Sequence, residues 1–142
     1  DGEGFQGNWW KMPPVEITVA NNIVIGSEGD LIKIFQDPIN STFLGNIVFP
    51  NGNPPFNKNF NSSEAEIADP KLKSNRGVWN LTEESSVRGK TSGSFPFVNK
   101  DIDGQPRTGL KDPGCDQISV SEKSNKPLTK NDVGPTWLKN IN

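Results

Sequence analysis

The sequence contains neither histidine nor tyrosine, and it has a single cysteine, Cys115, among its 142 residues. The absence of histidine excludes Ser-His-Asp and Cys-His catalysis, and it excludes metal sites that use histidine ligands. One cysteine allows neither an internal disulfide nor a zinc cluster. Because no base accompanies Cys115, we expect it to be a small buried side chain and not a nucleophile.

Apolar residues are also scarce. Only 31% of the residues are hydrophobic, which is little for an independent core. No apolar run approaches the roughly 20 residues of a membrane span, and no signal peptide is recognised at the start of the sequence. The net charge is -2 with no long block of either sign, so the sequence predicts no nucleic-acid partner.

Turn-forming residues are abundant instead, with 14 glycines, 12 prolines and 17 asparagines. These residues are unfavourable inside helices, so an all-β fold is predicted. Residues 1–14 are interpreted as an entry loop and 15–49 as a strand-rich stretch, in which short apolar runs alternate with turn residues. An Asn/Pro-rich loop covers 50–63, and an irregular capping segment is predicted for 64–142.

A repeat occurs within the strand-rich stretch. Residues 18–25 (TVANNIVI) align with residues 42–49 (TFLGNIVF). A period in the low twenties is typical of one rung of a β-solenoid, in which strands stack on those of the previous rung. We therefore expect Asn22 to lie above Asn46 at a corner, where asparagine tolerates a left-handed backbone. The alternative is two unrelated strands that share a common turn signal.

Three phrases in the second half occur in a characteristic order: DIDGQPR (101–107), KDPGCDQ (111–117) and KPLT…DVGPTW (126–137). This order resembles the C-terminal end of polysaccharide lyase family 6, which includes alginate lyases and chondroitinase B. Residues 19–24 and 44–48 are similar to its late rungs. The family usually has Val-Gly-Ala-Asp-Glu where this chain has Pro-Gly-Cys-Asp-Gln, a difference that we interpret as divergence within a capping turn.

The resemblance implies the last rungs of a right-handed parallel β-helix followed by a loop-rich C-terminal cap. It also implies a secreted or periplasmic bacterial enzyme that cleaves a uronate polymer by β-elimination. In the family, Ca²⁺ neutralises the uronate carboxylate, while a lysine and an arginine act as base and acid. Those residues lie on earlier rungs, so no catalytic or metal-binding residue is assigned here. The implied partners are an anionic polysaccharide, with alginate preferred over chondroitin or dermatan sulfate, and the preceding part of the β-helix.

A few side chains remain as candidates for contact with substrate. Trp9, Trp10 and Lys11 are predicted to bind substrate, because flat aromatic faces suit sugar rings and the lysine suits carboxylates; the alternative is that both indoles pack structurally. Arg107 is interpreted as an anchor for nearby aspartate carboxylates. Scattered carboxylates such as Asp69 are interpreted as turn residues. Two other functions remain open: a carbohydrate-binding module without catalysis, and a structural β-solenoid of a surface protein.

Overall fold

The computed structural model describes residues 13–26, 29–50, 52, 56, 59–75, 77–119, 125–129 and 132–134. Seven strands and no helix form in this part of the chain, so the all-β prediction is confirmed. The described residues accordingly provide no helix of the length and apolarity that a membrane crossing requires. In chain order the strands are β1 (Thr18–Ala20), β2 (Ile23–Gly26), β3 (Thr42–Leu44), β4 (Asn46–Pro50), β5 (Ala65–Ile67), β6 (Leu72–Asn75) and β7 (Val78–Leu81).

The strands pair in two ways. β1 pairs with β3, and β2, β4 and β5 form a three-stranded sheet in that order; all these pairings are parallel. β6 and β7 form an antiparallel hairpin, which departs from the irregular structure predicted for 64–142. The parallel strands are rich in valine, isoleucine and phenylalanine, which suit a pleated and partly buried surface.

One register of 24 residues relates the parallel strands of the first two turns of the chain, whereas β5 pairs with β4 in a different register, Asn46 with Ala65. Asn22 and Asn46 are 24 residues apart, and the same spacing relates four parallel pairings: Val15 with Ile39, Thr18 with Thr42, Ile23 with Ile47, and Ile32 with Phe56. We call residues 15–38 the first rung and residues 39–62 the second rung. The predicted repeat is therefore present as stacked parallel strands, and the expected pairs Ile23/Ile47 and Ile25/Phe49 are confirmed.

Left-handed backbone conformations occur at matching places in the two rungs. Glu16 (φ 54°) precedes β1 as Asn40 (φ 50°) precedes β3. Asn21 (φ 56°) separates β1 from β2, and Gly45 (φ 61°) separates β3 from β4. The left-handed residues at this corner are therefore Asn21 and Gly45. From the sequence, the left-handed conformation was expected one residue later, at Asn22 and Asn46, and that expectation was wrong. Glycine and asparagine are the residues that adopt this conformation at least cost.

The two stacked asparagines join the rungs through their side chains. Asn22 donates to Asn46 Oδ1 from its side-chain Nδ2 over 2.9 Å and from its backbone N over 3.2 Å. Asn46 Nδ2 donates to Val19 O over 2.9 Å and to Glu64 O over 3.0 Å. Asn46 is only 1% exposed, and both ends of its amide are hydrogen-bonded. A buried side-chain amide is tolerated when its polar atoms are hydrogen-bonded, and those of Asn46 are. Asn46 therefore stabilises the corner from inside the stack.

The apolar core is small. Its buried hydrophobic members in the described ranges come from β4, β5, β7 and the following loop, and they are Ile47, Val48, Ala65, Leu81 and Val87. Ile23, Leu72 and Ile118 pack against this cluster while remaining partly exposed. The core therefore joins the second rung to the hairpin and to the region that follows it. Within the described residues, so few buried side chains provide limited stabilisation.

Residues 82–119, which we call the C-terminal segment, contain no strand but contact the first rung closely. Asn21 Nδ2 donates to Ser92 O over 2.9 Å, and Ser92 N donates to Asn21 Oδ1 over 2.7 Å. Gly114 N donates to the backbone oxygen of Asn21 over 2.7 Å. One left-handed corner residue thus binds two distant parts of the C-terminal segment. This holds the segment beside the first rung.

Candidate functional site

The first rung ends in an open strand edge. Among the described residues, β1 has only β3 as a strand neighbour, and β2 has only β4. Ile47 N donates to Asn22 O over 2.8 Å, so the backbone groups of Asn22 and Val24 face β4. Since alternate residues of a parallel strand face opposite neighbours, the N–H and C=O groups of Ile23 and Ile25 point away from β4. No other described residue pairs with these groups, so they form an open edge in the part of the chain that the structure describes.

The same alternation applies to β1. Thr42 N donates to Ile17 O over 2.9 Å, which places Ile17 and Val19 on the side of β3. The backbone groups of Thr18 and Ala20 therefore point to the side opposite β3. Both strands of the first rung thus expose backbone groups in the direction away from the second rung. Such an edge is a template for pairing with another strand.

A cleft of about 1470 Å³ lies along this edge. Its lining includes the four edge residues Thr18, Ala20, Ile23 and Ile25, together with parts of the hairpin and of the C-terminal segment. Phe49 of the second rung also lines the cleft, so the cleft extends over both rungs as well as the edge residues. This cleft is the candidate functional site.

Apolar side chains are exposed in the cleft. Trp79 of the hairpin is 63% exposed, and Phe97 and Leu110 of the C-terminal segment are 79% and 81% exposed. The ring of Phe97 packs edge-to-face against Phe95, with 6.0 Å between the ring centroids. Large exposed apolar side chains that share one concave surface are typical of an interaction site and not of ordinary surface.

Arg107 also lines the cleft, but its guanidinium group is engaged in the fold. Arg107 Nη1 donates to Gly114 O over 3.0 Å, and Nη2 donates to Asp112 O. Arg107 is thus an anchor, as expected, but its acceptors are backbone carbonyls and not the carboxylates that the sequence suggested. Its Nε is buried and has no hydrogen-bond partner in the described part of the chain. These contacts leave the group poorly placed to bind an anionic polymer.

Aspartates of the DIDGQPR and KDPGCDQ phrases shape the loops around the cleft. Asp101 Oδ1 accepts from Asp103 N over 2.9 Å and from Gln105 N over 2.8 Å. Asp112 accepts from Gly89 N over 2.7 Å through Oδ1 and from Ile118 N over 2.9 Å through Oδ2. Both carboxylates are at least nine-tenths buried. Their oxygens are thereby committed to the backbone and stabilise the turns.

The calcium ion that the resemblance implies was tested against this donor set. The carboxylates of Asp101 and Asp112 are directed at backbone N–H groups, which is the arrangement of turn residues and not of an open ligand set. Within the described ranges, no three histidine, cysteine, aspartate or glutamate side chains converge on a point where a metal ion would fit. These residues do not fit a calcium site, and no step is derived through one.

Other predicted residues have different outcomes. Trp9, Trp10 and Lys11, the predicted substrate-binding residues, lie outside the described residues. Cys115 is exposed, not buried as expected, whereas the side chain of the next residue, Asp116, is buried. Asp69 is a turn residue as predicted, since its Oδ1 accepts from Lys71 N over 2.9 Å.

Sequence reasoning missed Trp79 and Phe97 as cleft residues. Trp79 shares its face of β7 with Leu81, which is buried, so the alternation of the strand did not indicate that Trp79 is exposed. Phe97 lies in the phrase Ser94-Phe95-Pro96-Phe97, in which no periodic pattern indicates a direction.

Comparisons with known proteins add no relative. No protein-family model matches the chain, and neither a curated protein nor a solved structure gives a significant match.

Proposed function

We propose that this chain is the C-terminal section of a polysaccharide lyase, in which it completes and caps a right-handed parallel β-helix. The enzyme would cleave a uronate-containing polymer, preferably alginate, by β-elimination. The base, the acid and the calcium ligands would belong to preceding rungs. The proposal includes a bacterial secreted or periplasmic location, since its substrates are extracellular polymers.

The observation that carries this proposal is the constant register of 24 residues at parallel pairings spread over two rungs. Parallel strands that return at a fixed interval are the basic arrangement of a β-solenoid. The phrases that resemble the lyase family form the loops held by Asp101, Arg107 and Asp112 beside the first rung.

A second candidate is a carbohydrate-binding module without catalysis, and a specific observation favours it. Trp79 and Phe97 are exposed in a cleft whose volume would accommodate several sugar rings. Aromatic faces of this kind bind pyranose rings by stacking. The two candidates differ in what fills the cleft, because the lyase needs further rungs there and the module needs a sugar.

The experiment compares two proteins: the 142-residue chain, and the polypeptide encoded by the whole reading frame to which it belongs, which we call the complete product. Both are incubated with alginate and with chondroitin sulfate, and unsaturated uronate is followed by its ultraviolet absorbance. We expect calcium-dependent turnover by the complete product and none by the 142-residue chain. No turnover by the complete product on either polymer would contradict the lyase proposal. Retention of the inactive chain on immobilised alginate would favour the module.

A further inference from the structure

A second and smaller pocket lies on the first rung. Val19 lines this pocket, whereas Thr18 and Ala20 line the cleft, so the two spaces lie on opposite faces of β1. The pocket has a volume of about 240 Å³, and its walls are mostly apolar, with Ile17 and Phe43 among them. A cavity of about 150 Å³ between apolar side chains accommodates a benzene ring. The pocket on the first rung therefore has room for a large aromatic side chain.

The second rung fills the equivalent space with phenylalanine rings. Phe60 packs against Phe43 and Phe56, with 5.4 Å and 5.0 Å between the ring centroids. The residues 24 positions earlier in the chain carry no aromatic ring, and all three line the pocket: Val19, Ile32 and Gln36. Among the described residues, the first rung thus has a space where the second rung has packed rings.

The chain enters the first rung at the wall of this pocket. Pro14 lines the pocket, and its backbone oxygen accepts a hydrogen bond from Ile39 N over 2.8 Å. Val15 pairs with Ile39 in parallel, and Pro38, which is 24 positions after Pro14, lines the pocket too. The register of 24 residues therefore holds where the N-terminal segment meets the pocket. Trp10 is four positions before Pro14, which is at most about 14 Å of extended chain.

Burial alternates along the wall of the pocket that this register assigns to residues 9–12. Ile34 is partly buried, whereas Lys33 and Phe35 on either side of it are exposed. Phe35 is 71% exposed, and Lys33 Nζ lies 5.0 Å from the centroid of its ring. Counting back 24 positions, Trp10 corresponds to Ile34, and Trp9 corresponds to Lys33. The register thus assigns one tryptophan to the partly buried position and the other to the exposed position.

From these observations we infer that the indole of Trp10 fills the pocket, and that Trp9 lies beside Lys33 and Phe35 on a surface that binds sugar. The two adjacent tryptophans then have different roles. Trp10 stabilises the first rung by burying apolar area, as the phenylalanines do in the second rung. Trp9 and Phe35 offer flat faces to a pyranose ring, and Lys33 offers a cation to a uronate carboxylate. The sugar-binding part rests on the proposed function and adds Lys33 and Phe35 to its binding residues; the packing part does not depend on that function.

Amide hydrogen exchange at Ile39, measured by NMR in the complete product, tests the packing part, since this N–H is bonded to Pro14 O beside the pocket. We expect Trp10→Ala to raise its exchange rate about tenfold or more, and the matched Trp9→Ala to change it less than about twofold. Val48 N–H lies in the buried part of β4 and should be unaffected by both substitutions, which shows that the rest of the fold is intact. Equal effects at Ile39, or a larger effect of Trp9→Ala, would overturn the inference.

A double-mutant cycle at the same amide tests where the indole lies. Trp10→Phe keeps an aromatic ring and so preserves most of the packing. If the ring contacts Ile34, the effects of Trp10→Phe and Ile34→Ala on the exchange rate are coupled. We expect the double variant to differ by about threefold or more from the product of the two single effects, and Trp9→Phe with Ile34→Ala to show no such difference. Independent effects in both pairs would place the indole elsewhere and overturn the inference.

Isothermal titration calorimetry with alginate and chondroitin oligosaccharides tests the sugar-binding part. We expect Trp9→Ala and Phe35→Ala each to weaken binding by the complete product about fivefold, and Trp10→Phe to change it less than about twofold. The matched control is Phe97→Ala, which removes a similarly exposed ring from the cleft. Weaker binding with Phe97→Ala and unchanged binding with Phe35→Ala would overturn the sugar-binding part. If the unsubstituted complete product bound neither oligosaccharide, the proposed function and the sugar-binding part would fail together, while exchange at Ile39 would still decide the packing of Trp10.

Discussion

Asn22 Nδ2 donates a hydrogen bond to Asn46 Oδ1 over 2.9 Å across the two rungs, although the residues are 24 positions apart in the chain. The pair is asymmetric, because Asn46 is 1% exposed and bonded at both ends of its amide, whereas Asn22 is exposed. The buried member therefore carries most of the stabilisation, and the exposed member is the end of the ladder.

Replacing the buried member should remove four side-chain hydrogen bonds at once. Asn46→Leu keeps the size of the side chain but removes its bonds to Val19 O, to Glu64 O, and to the backbone N and side-chain Nδ2 of Asn22, while the backbone N of residue 46 still donates to Glu64 O. We expect the free energy of local opening at Ile47 to fall by about 2–4 kcal/mol, since each lost hydrogen bond costs about 0.5–1.5 kcal/mol. Amide exchange in the complete product measures it.

The matched control is Asn59→Leu, because Asn59 is exposed and outside the ladder. Asn59→Leu should change the free energy of local opening at Ile47 by no more than about 0.5 kcal/mol. Equal effects of the two substitutions would contradict a structural role for the ladder.

A second prediction concerns Gly45, whose backbone is left-handed. A Cβ at Gly45 would lie 2.4 Å from Asn21 Oδ1 and 2.9 Å from Ser92 Cβ, and the backbone there has φ 61°. Gly45→Ala should therefore cost more than backbone strain alone, which is about 1–3 kcal/mol. The control is Gly109→Ala, where φ is 67° and nothing lies within 4 Å of the added Cβ. We expect urea unfolding of the complete product to show a larger loss for Gly45→Ala; an equal loss would contradict the tight contact between corner and C-terminal segment.

The buried aspartates should be structural. Asp112→Ala leaves Gly89 N and Ile118 N unpaired, and we expect a loss of about 2–4 kcal/mol in unfolding free energy. Asp69→Ala removes one bond at a partly exposed turn and should cost about 1 kcal/mol or less. The unfolding free energies are measured by urea denaturation. A larger loss of free energy for Asp69→Ala than for Asp112→Ala would contradict the role of Asp112 in stabilising the C-terminal segment.

Substrate contact is predicted for the entry loop and not for the cleft. In the complete product, Trp9→Ala combined with Trp10→Ala should weaken binding of alginate oligosaccharides roughly tenfold, or ~1.4 kcal/mol. Lys11→Ala should weaken binding less and in a salt-dependent way. Trp79→Ala is the control, and isothermal titration calorimetry is the measurement. Loss of binding with Trp79→Ala alone would indicate that a sugar occupies the cleft.

The strand register was predictable from the sequence, whereas the corner position and the cap were not. Thr, Asn, Ile and Val recur at one interval because stacked rungs place equivalent residues in equivalent environments, so periodicity survives in the sequence. The corner lies at Asn21 and Gly45, two residues that differ in type but share a tolerance of positive φ. An alignment that counts identities favours Asn22 and Asn46 instead. Identity alone does not show which residue adopts the left-handed conformation.

The C-terminal segment has no period for a sequence analysis to detect. Its position is set by single contacts such as Asn21 with Ser92, which are 71 residues apart. Asp101 and Asp112 were recognised as parts of family-like phrases, but their backbone partners follow from the folded loops. Exposed Trp79 and Phe97 became candidates only when the structure placed both beside the open edge.

Dependence on preceding rungs is the central claim, and thermal melting followed by circular dichroism tests it most directly. The described part of the chain buries few hydrophobic side chains and leaves the edge of β1 and β2 unpaired. We therefore expect the 142-residue chain alone to aggregate or to melt without a cooperative transition, and the complete product to melt cooperatively with a β-type spectrum. A soluble monomer of the 142-residue chain with a cooperative β-type transition would contradict this dependence and favour an independent binding module.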